Sequence, residues 1–273
     1  MKIVSDSSLD IRPPVEGVDL EVIPFVITFD NSEYRDHHWD QLPEYERDMK
    51  ASKIFKTACP SPNEYLEAFQ NAKGPIYGIT ISSLLSGSYN SAILGKELYY
   101  ESGGTEKIHI FDSRSAGGGP SLIYYKLLEL TEQGLDFEEI VEKVEAYRDS
   151  MATMFVSESL DNLAKAGRLS NIKHRIAKTL NILPVMIATD EGQIIHEANA
   201  RGSKQAFAKM VAKLKELNPK GKWLSINHSG NTKWANYVKE EMEKAGVSRI
   251  FMQRTALLNT IYLDLNGVIV SLG

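Results

Sequence analysis

A chain of 273 residues with 42% hydrophobic and 25% charged residues has the make-up of a globular protein of one large or two smaller domains. Its net charge of −5, with no basic block, excludes non-specific nucleic-acid binding, which needs clustered cations to displace counterions from phosphates. The single cysteine, Cys59, excludes an internal disulfide or a cysteine-built zinc site, and no apolar run approaches the ~20 residues that cross a bilayer.

The predicted elements begin with the strand "KIVSD" directly after Met1, which leaves no room for the apolar core of a secretory leader, so a cytoplasmic protein is expected. The next segment, "EVIPFVITFDNSEYRD" (21–36), reads as a hairpin able to pack with either half of the chain. "PIYGITIS" and "KIHIFDS" are further short apolar runs that end in Ser or Asp. Around them "SPNEYLEAFQNAKG", "SYNSAILGKELYYESGG" and "PSLIYYKLLELTEQG" have helical spacing and close on glycine. That alternation is βαβ grammar. "DFEEIVEKVEAYRDSM" adds a helix with Phe137, Ile140, Val141 and Val144 on one face.

From about Met151 the pattern changes. "MATMFVSES" is a strand, "LDNLAKAGRLS" and "NIKHRIAKTLN" are short helices, and "ILPVMIATDEGQIIHEANAR" is a pair of strands joined by an Asp-Glu-Gly turn. "SKQAFAKMVAKLKELN", "KWLSINHS", "KWANYVKEEMEKAG" and "SRIFMQR" follow as helix, strand, helix and strand. The expected fold class is therefore α/β with two domains: a Rossmann-like parallel-sheet domain over 1–150, and a second α/β domain with a mixed or antiparallel sheet over 151–273.

Parallel sheets bind ligands at the carboxyl ends of their strands, which places "SDSS", "SSLLSGS" and "DSRSAGGG" along one edge. No dinucleotide fingerprint, P-loop or nucleophile elbow occurs in the chain. His228 in "SINHSG" reads as a surface or turn histidine before a catalytic one, and His37 and His38 have no metal-ligand spacing. The glycine run "SAGGGPS" serves either a tight turn or close approach to a phosphate, which makes Gly118 a ligand-binding candidate. What remains is binding without covalent chemistry, a polar head group on the hydroxyl loops and an apolar tail in a slot between domains. A tail of roughly 16 carbons, at ~0.8 kcal/mol per CH₂, would contribute on the order of 12 kcal/mol.

"VSDSSLD" (4–10), "KTACPSP" (56–62), "ISSLLSGSYNSA" (81–92), "FDSRSAGGGPS" (111–121), "LDNLAKAGRLS" (160–170) and "ARGSKQA" (200–206) occur in the order and spacing of the DegV family. The chain resembles that family's fatty-acid-binding subunits of bacterial fatty acid kinase. The resemblance implies a long-chain fatty acid in a tunnel between two α/β domains, no catalysis by the binder and no cofactor or metal. It also implies a separate ATP-using kinase subunit that phosphorylates the acid for phospholipid synthesis, with transient membrane contact. On that basis Thr57, Ser86 and Ser88 are expected at the head group, with Ser61 beside them, and Arg168 and Arg201 at a phosphate or the kinase. Each hydroxyl also has a helix-capping role open to it, and Asp6 and Ser7 are expected to brace the loops rather than touch ligand. Two departures stand out: Ala58 and Cys59 replace the family's Ser-Gln, and Asp264 or a neighbour stands where a histidine of GTHTGPG is usual. An ionised Asp264 there is expected to repel an ionised head group. The alternatives are an enzyme on a phosphorylated small molecule and a diverged interaction protein.

Overall fold

The computed structural model describes residues 1–11, 14–30, 32–37, 39–169 and 181–273. The helix expected over "NIKHRIAKTLN" lies outside the described residues except for Asn181, as does His38.

Up to residue 150 the chain runs β1 (Lys2–Asp6), β2 (Leu20–Ile23), β3 (Val26–Phe29), β4 (Glu33–Arg35), α1 (Leu42–Ala51), β5 (Phe55–Ala58), α2 (Pro62–Gln70), β6 (Ile76–Thr80), α3 (Ser88–Glu101), β7 (Ile108–Asp112), α4 (Gly118–Glu132) and α5 (Phe137–Asp149). β2, β1, β6 and β7 form a parallel sheet in that order. Every residue of β1 and β6 is buried, because helices cover both faces of the sheet and each strand must be apolar throughout. Tyr77, Phe111, Ile123 and Leu127 join α4 and α5 to one face, while Val4, Tyr65, Phe69 and Ile110 join α2 and α3 to the other.

From residue 151 the chain runs β8 (Ala152–Val156), α6 (Asp161–Lys165), β9 (Ile182–Ala188), β10 (Ile194–Arg201), α7 (Gly202–Glu216), β11 (Trp223–His228), α8 (Thr232–Lys244), β12 (Arg249–Arg254), α9 (Leu257–Leu263) and β13 (Val268–Leu272). Its strands form a mixed sheet in the order β10-β9-β8-β13-β11-β12, antiparallel except between β11 and β12. Phe207, Met210, Val238 and Met242 pack α7 and α8 onto it. The fold is α/β, with a parallel and a mixed sheet as expected.

The segment 21–36 is not one hairpin. Its first strand leaves to pair parallel with β1, and Pro24, which has no N–H for a ladder, separates it from the true hairpin of β3 and β4. β5 adds antiparallel to β3, giving a three-stranded sheet whose Ile27, Phe29 and Tyr34, with Tyr45 of α1, pack on Leu257 and Ile261 of α9.

Besides this packing on α9, further contacts join the parts of the chain before and after residue 150. α4 lies against the mixed sheet, with Tyr125 stacked on Phe251 at 3.7 Å and Gln253 donating to the Ser121 hydroxyl at 2.8 Å. The turn between β9 and β10 docks on the loops after β6 and β7, where Ser82 Oγ donates to the Gly192 carbonyl at 2.9 Å. Gly192 has φ +89°, and a Cβ there would lie 2.5 Å from Ser82 Oγ and 2.6 Å from Arg114 Cα, so the close approach requires glycine. Among the described residues no helix is long and apolar enough to cross a membrane.

Candidate ligand cavity

A largely apolar cavity enclosing about 820 Å³, part of it continuous with solvent, lies between the hydroxyl-rich loops, β5 and α9. Phe25 and Ile81 contribute apolar wall from the first part of the chain, and Phe155, Leu163, Leu258 and Ile269 from the second. The polar members of the wall are Thr57, Cys59, Ser86, Arg168, Asn259 and Tyr262.

The loops are tied together by Asp6 at the carboxyl end of β1. Its carboxylate accepts from the Ser8 N–H at 3.1 Å, Ser8 Oγ at 2.5 Å, the Ile81 N–H at 3.0 Å and Ser88 Oγ at 2.6 Å. Burial pushes the Asp6 carboxyl up, and these hydrogen bonds pull the other way. Ser7 Oγ accepts from the Phe25 N–H at 3.0 Å, fixing the entry to β3. Both residues brace the edge where three loops converge.

That network also takes in Ser88, one of the residues expected at the head group. Its hydroxyl is fully buried, donates to Asp6 and lies 2.8 Å from the Tyr65 hydroxyl, so it is spent inside the protein and takes no part in the cavity wall. Ser86 does line the cavity, and its oxygen accepts the Ser88 N–H at 3.3 Å. The amino end of α3 therefore opens beside Ser86 and Gly87, where the helix dipole favours negative charge.

Thr57 sits on β5, and its Oγ1 lies 2.7 Å from the hydroxyl of Tyr262 on α9. α9 is held at both ends by the rest of the chain. The Asp36 carboxylate accepts the N–H groups of Leu257 and Leu258 at 2.9 and 3.1 Å, Ser157 Oγ donates to Leu263 O at 2.5 Å, and Asn162 Nδ2 to Ile261 O at 2.9 Å. Asn259 Nδ2 donates to Ser8 O at 2.8 Å and Asp10 Oδ1 at 3.0 Å. These bonds turn one face of a short helix, with Leu258, Asn259 and Tyr262, into the cavity.

Thr57, Ser86 and Arg168 are thus brought to one cavity, and the other predicted residues are not. Arg168, exposed at the rim, donates from Nε to Leu85 O at 3.0 Å and from Nη1 to Ala166 O at 2.5 Å. Ser61 is the N-cap of α2 in a capping box with Glu64, because its hydroxyl accepts the Glu64 N–H at 3.3 Å. Gly118 allows α4 to close on β13, since a Cβ there would lie 2.8 Å from Ser271 Oγ, so the glycine run serves helix packing. Arg201 ends β10 outside the cavity wall, with its N–H donated to Gln205 Oε1 at 2.5 Å.

Asp264 is also outside the wall. Its backbone has φ 57°, and its carboxylate accepts the Leu265 N–H at 2.7 Å. Asn259 and Tyr262 of the same segment reach the cavity instead. Their signal in the sequence was a polar residue inside the apolar period of "LLNTIYL". His228, expected at a surface or turn, is 8% exposed at the end of β11 and away from the cavity. Burial pushes its imidazole down, with Arg254 adding to the shift.

With this geometry in hand, a model of the DegV family, described as uncharacterised proteins, matches residues 1–262. A DegV domain-containing protein of Streptococcus pneumoniae is 35% identical over 247 residues, covering 89% of this chain and 88% of its own. A crystal structure of a DegV family protein from Ruminococcus gnavus, refined with vaccenic acid, superposes with a TM-score of 0.94 at 36% identity, over 99% of this chain and 98% of that one. The Streptococcus pneumoniae fatty acid kinase B3 protein loaded with linoleic acid superposes with a TM-score of 0.91 at 33% identity, again over 99% and 98%.

Proposed function

The chain belongs to the DegV family, and from that premise we propose that it binds a long-chain fatty acid in this cavity and performs no catalysis of its own. The observation that carries the proposal is the division of the wall: one continuous apolar lining from both parts of the chain, with Thr57, Ser86 and Tyr262 as its hydroxyls and Arg168 at the rim. An apolar slot with a few polar groups suits a long tail ending in one small head group. The acid-loaded relatives of similar fold support the same reading.

The finer mechanism is that the two halves are domains meeting near residue 150, and that the carboxyl group is presented at the rim to a separate ATP-using kinase subunit in the cytoplasm, which converts it to an acyl phosphate. Arg168 and Arg201 then serve the phosphate or the kinase. No part of the enzyme alternative gains support from the glycine run, whose residues are taken up by helix packing.

The test is to purify the protein under native conditions, extract it with organic solvent and identify the released compounds by mass spectrometry. A long-chain fatty acid in stoichiometric amount is expected. A blank that persists after incubation with added fatty acids refutes the reading. For the partner, changing Arg168 and Arg201 together to Ala is expected to leave fatty-acid binding intact and reduce phosphorylation by an added fatty acid kinase, and loss of binding itself would place them at the head group.

A further inference from the structure

The wall of the cavity has a polar end and an apolar end. Leu85, Ala116 and Tyr262 pack against two separate clusters of buried side chains. One cluster holds Phe25, Ile81 and Leu258 with Cys59 packed on it, and the other polar members of the wall adjoin these residues in the chain: Thr57 before Cys59, Ser86 after Leu85 and Asn259 after Leu258. Arg168, at the rim, is bonded to Leu85 O. The second cluster supplies Phe155, Leu163, Ile194, Leu263 and Ile269 to the wall and no polar side chain. A ligand with one polar group and one long tail therefore ends its tail there.

Strand register shows what lies beyond that end. Phe155 stands opposite Ile269 on β13 and Met186 on β9, on the face of the mixed sheet turned to the cavity. Side chains two apart in a strand share a face about 6.6 Å further on, so the next row on this face is Thr153, Ser271 and Ala188. That row carries hydroxyls. Thr153 Oγ1 lies 2.8 Å from Ser271 Oγ and 2.7 Å from Ser115 Oγ, and all three residues are buried. Past it is a second space of about 310 Å³, part of it continuous with solvent, walled by Thr153, Ala188 and the charged side chains of Arg114, Arg148, Asp149 and Asp190. The two spaces adjoin: Ser115 lines the second and its neighbour Ala116 the cavity, just as Ala188 lines the second and its cross-strand partner Ile194 the cavity.

Resting on the fatty-acid reading above, we propose that this partition sets the length of acyl chain the protein accepts, with Phe155 as the specificity-determining residue. An apolar tail gains by burial as far as the Phe155 row. One row further, its end would meet hydroxyls already bonded to one another and an ionic cluster in which Arg114 and Arg148 both donate to Asp149. Those groups gain nothing from a methyl group and lose contact with water. Phe155 has the largest of the five side chains at the apolar end, so its size fixes where the tail stops.

The experiment displaces a fluorescent fatty acid from the full chain with saturated fatty acids lengthened two carbons at a time. For the unaltered protein, affinity is expected to rise about fourfold per added CH₂ until the tail meets Phe155, and to stop rising beyond that length. Phe155→Leu and Phe155→Ala are expected to move the limit to longer acids, in that order, whereas Ala188→Leu, which fills part of the second space, leaves it unchanged. A limit that stays in place in a folded Phe155 variant overturns the proposal and leaves fatty-acid binding standing. So does a limit that shortens in Ala188→Leu, which would mean that the tail already passes the partition, and this arm decides by itself where neither Phe155 variant folds. Affinity that rises with length without a limit overturns the proposal as well. No displacement by any acid overturns both it and the fatty-acid reading.

Discussion

Removing the two hydroxyls of the Thr57–Tyr262 pair, singly and together, should produce a loss that neither alone predicts. The pair is a neutral hydrogen bond of 2.7 Å bridging β5 and α9, a contact with a net worth of about 0.5–1.5 kcal/mol. Two hydroxyls carry two protons, and one is consumed between them. In Tyr262→Phe or Thr57→Val the internal bond is lost, but the surviving hydroxyl keeps its proton and turns it to the ligand, so the head group still finds a donor. The phenyl ring of Tyr262→Phe also keeps its edge contact with Phe55, at 6.0 Å between centroids. Each single change should then weaken long-chain fatty-acid affinity by less than about threefold. The double variant removes the donor altogether and strands a buried carbonyl oxygen at about 1–3 kcal/mol, or about five- to 150-fold in affinity. The assay is displacement of a fluorescent fatty acid from the four proteins of the cycle, with thermal melts to confirm that each is folded. An additive cycle, or one single variant that carries the whole loss, would refute the proton count.

Ser86→Ala and Ser88→Ala should separate cleanly: the first weakens ligand affinity about two- to tenfold with an unchanged melting temperature, whereas the second removes a donor to the buried Asp6 carboxylate and costs about 1.5–3 kcal/mol of stability. Equal effects of both on affinity in the same titration would return Ser88 to the ligand site. Gly192→Ala should lower the melting temperature by several degrees, because φ +89° costs an L-residue about 1–2 kcal/mol and the new Cβ meets the Arg114 backbone; an unchanged melt would mean that the hairpin turn is not seated there. His228 should make stability depend on pH with a definite sign. Its folded-state pKa is depressed below the ordinary value near 6.5, so its contribution is fully present above about pH 6.5 and declines as pH falls. His228→Gln should flatten that part of the melting-temperature profile, and an unaltered slope would exclude the residue as its source.

The small three-stranded sheet shows why some elements escaped the linear reading. β5, "FKTA", alternates half-buried and exposed residues and ends beside Cys59-Pro60, with none of the continuous apolar run that exposed β1 and β6. Its partner β3 was legible as a strand, yet the first half of the predicted hairpin went to another sheet, because pairing is settled by which edge is available rather than by proximity in sequence. α9 and β13 were hidden in the same way: the final segment is buried nearly throughout, so it carries no amphipathic period to separate helix from strand.

The sequence by itself determined the α/β alternation, the hydroxyl-rich loops at the strand ends and the family to which those loops belong, since all three are written in local periodicity and in short motifs. It also pointed to Thr57, Ser86 and Arg168. Only the tertiary structure decided which hydroxyls are available to a ligand. Ser86 and Ser88 are chemically identical and two residues apart, but the helical turn that starts between them aims one at the cavity and the other at Asp6. Likewise Asn259 and Tyr262 lie some 200 positions from Thr57 in the chain, and nothing local joins them to it. The carboxylates of Asp10 and Asp36 do, by pinning a short helix across the cavity and fixing which of its atoms a ligand can meet.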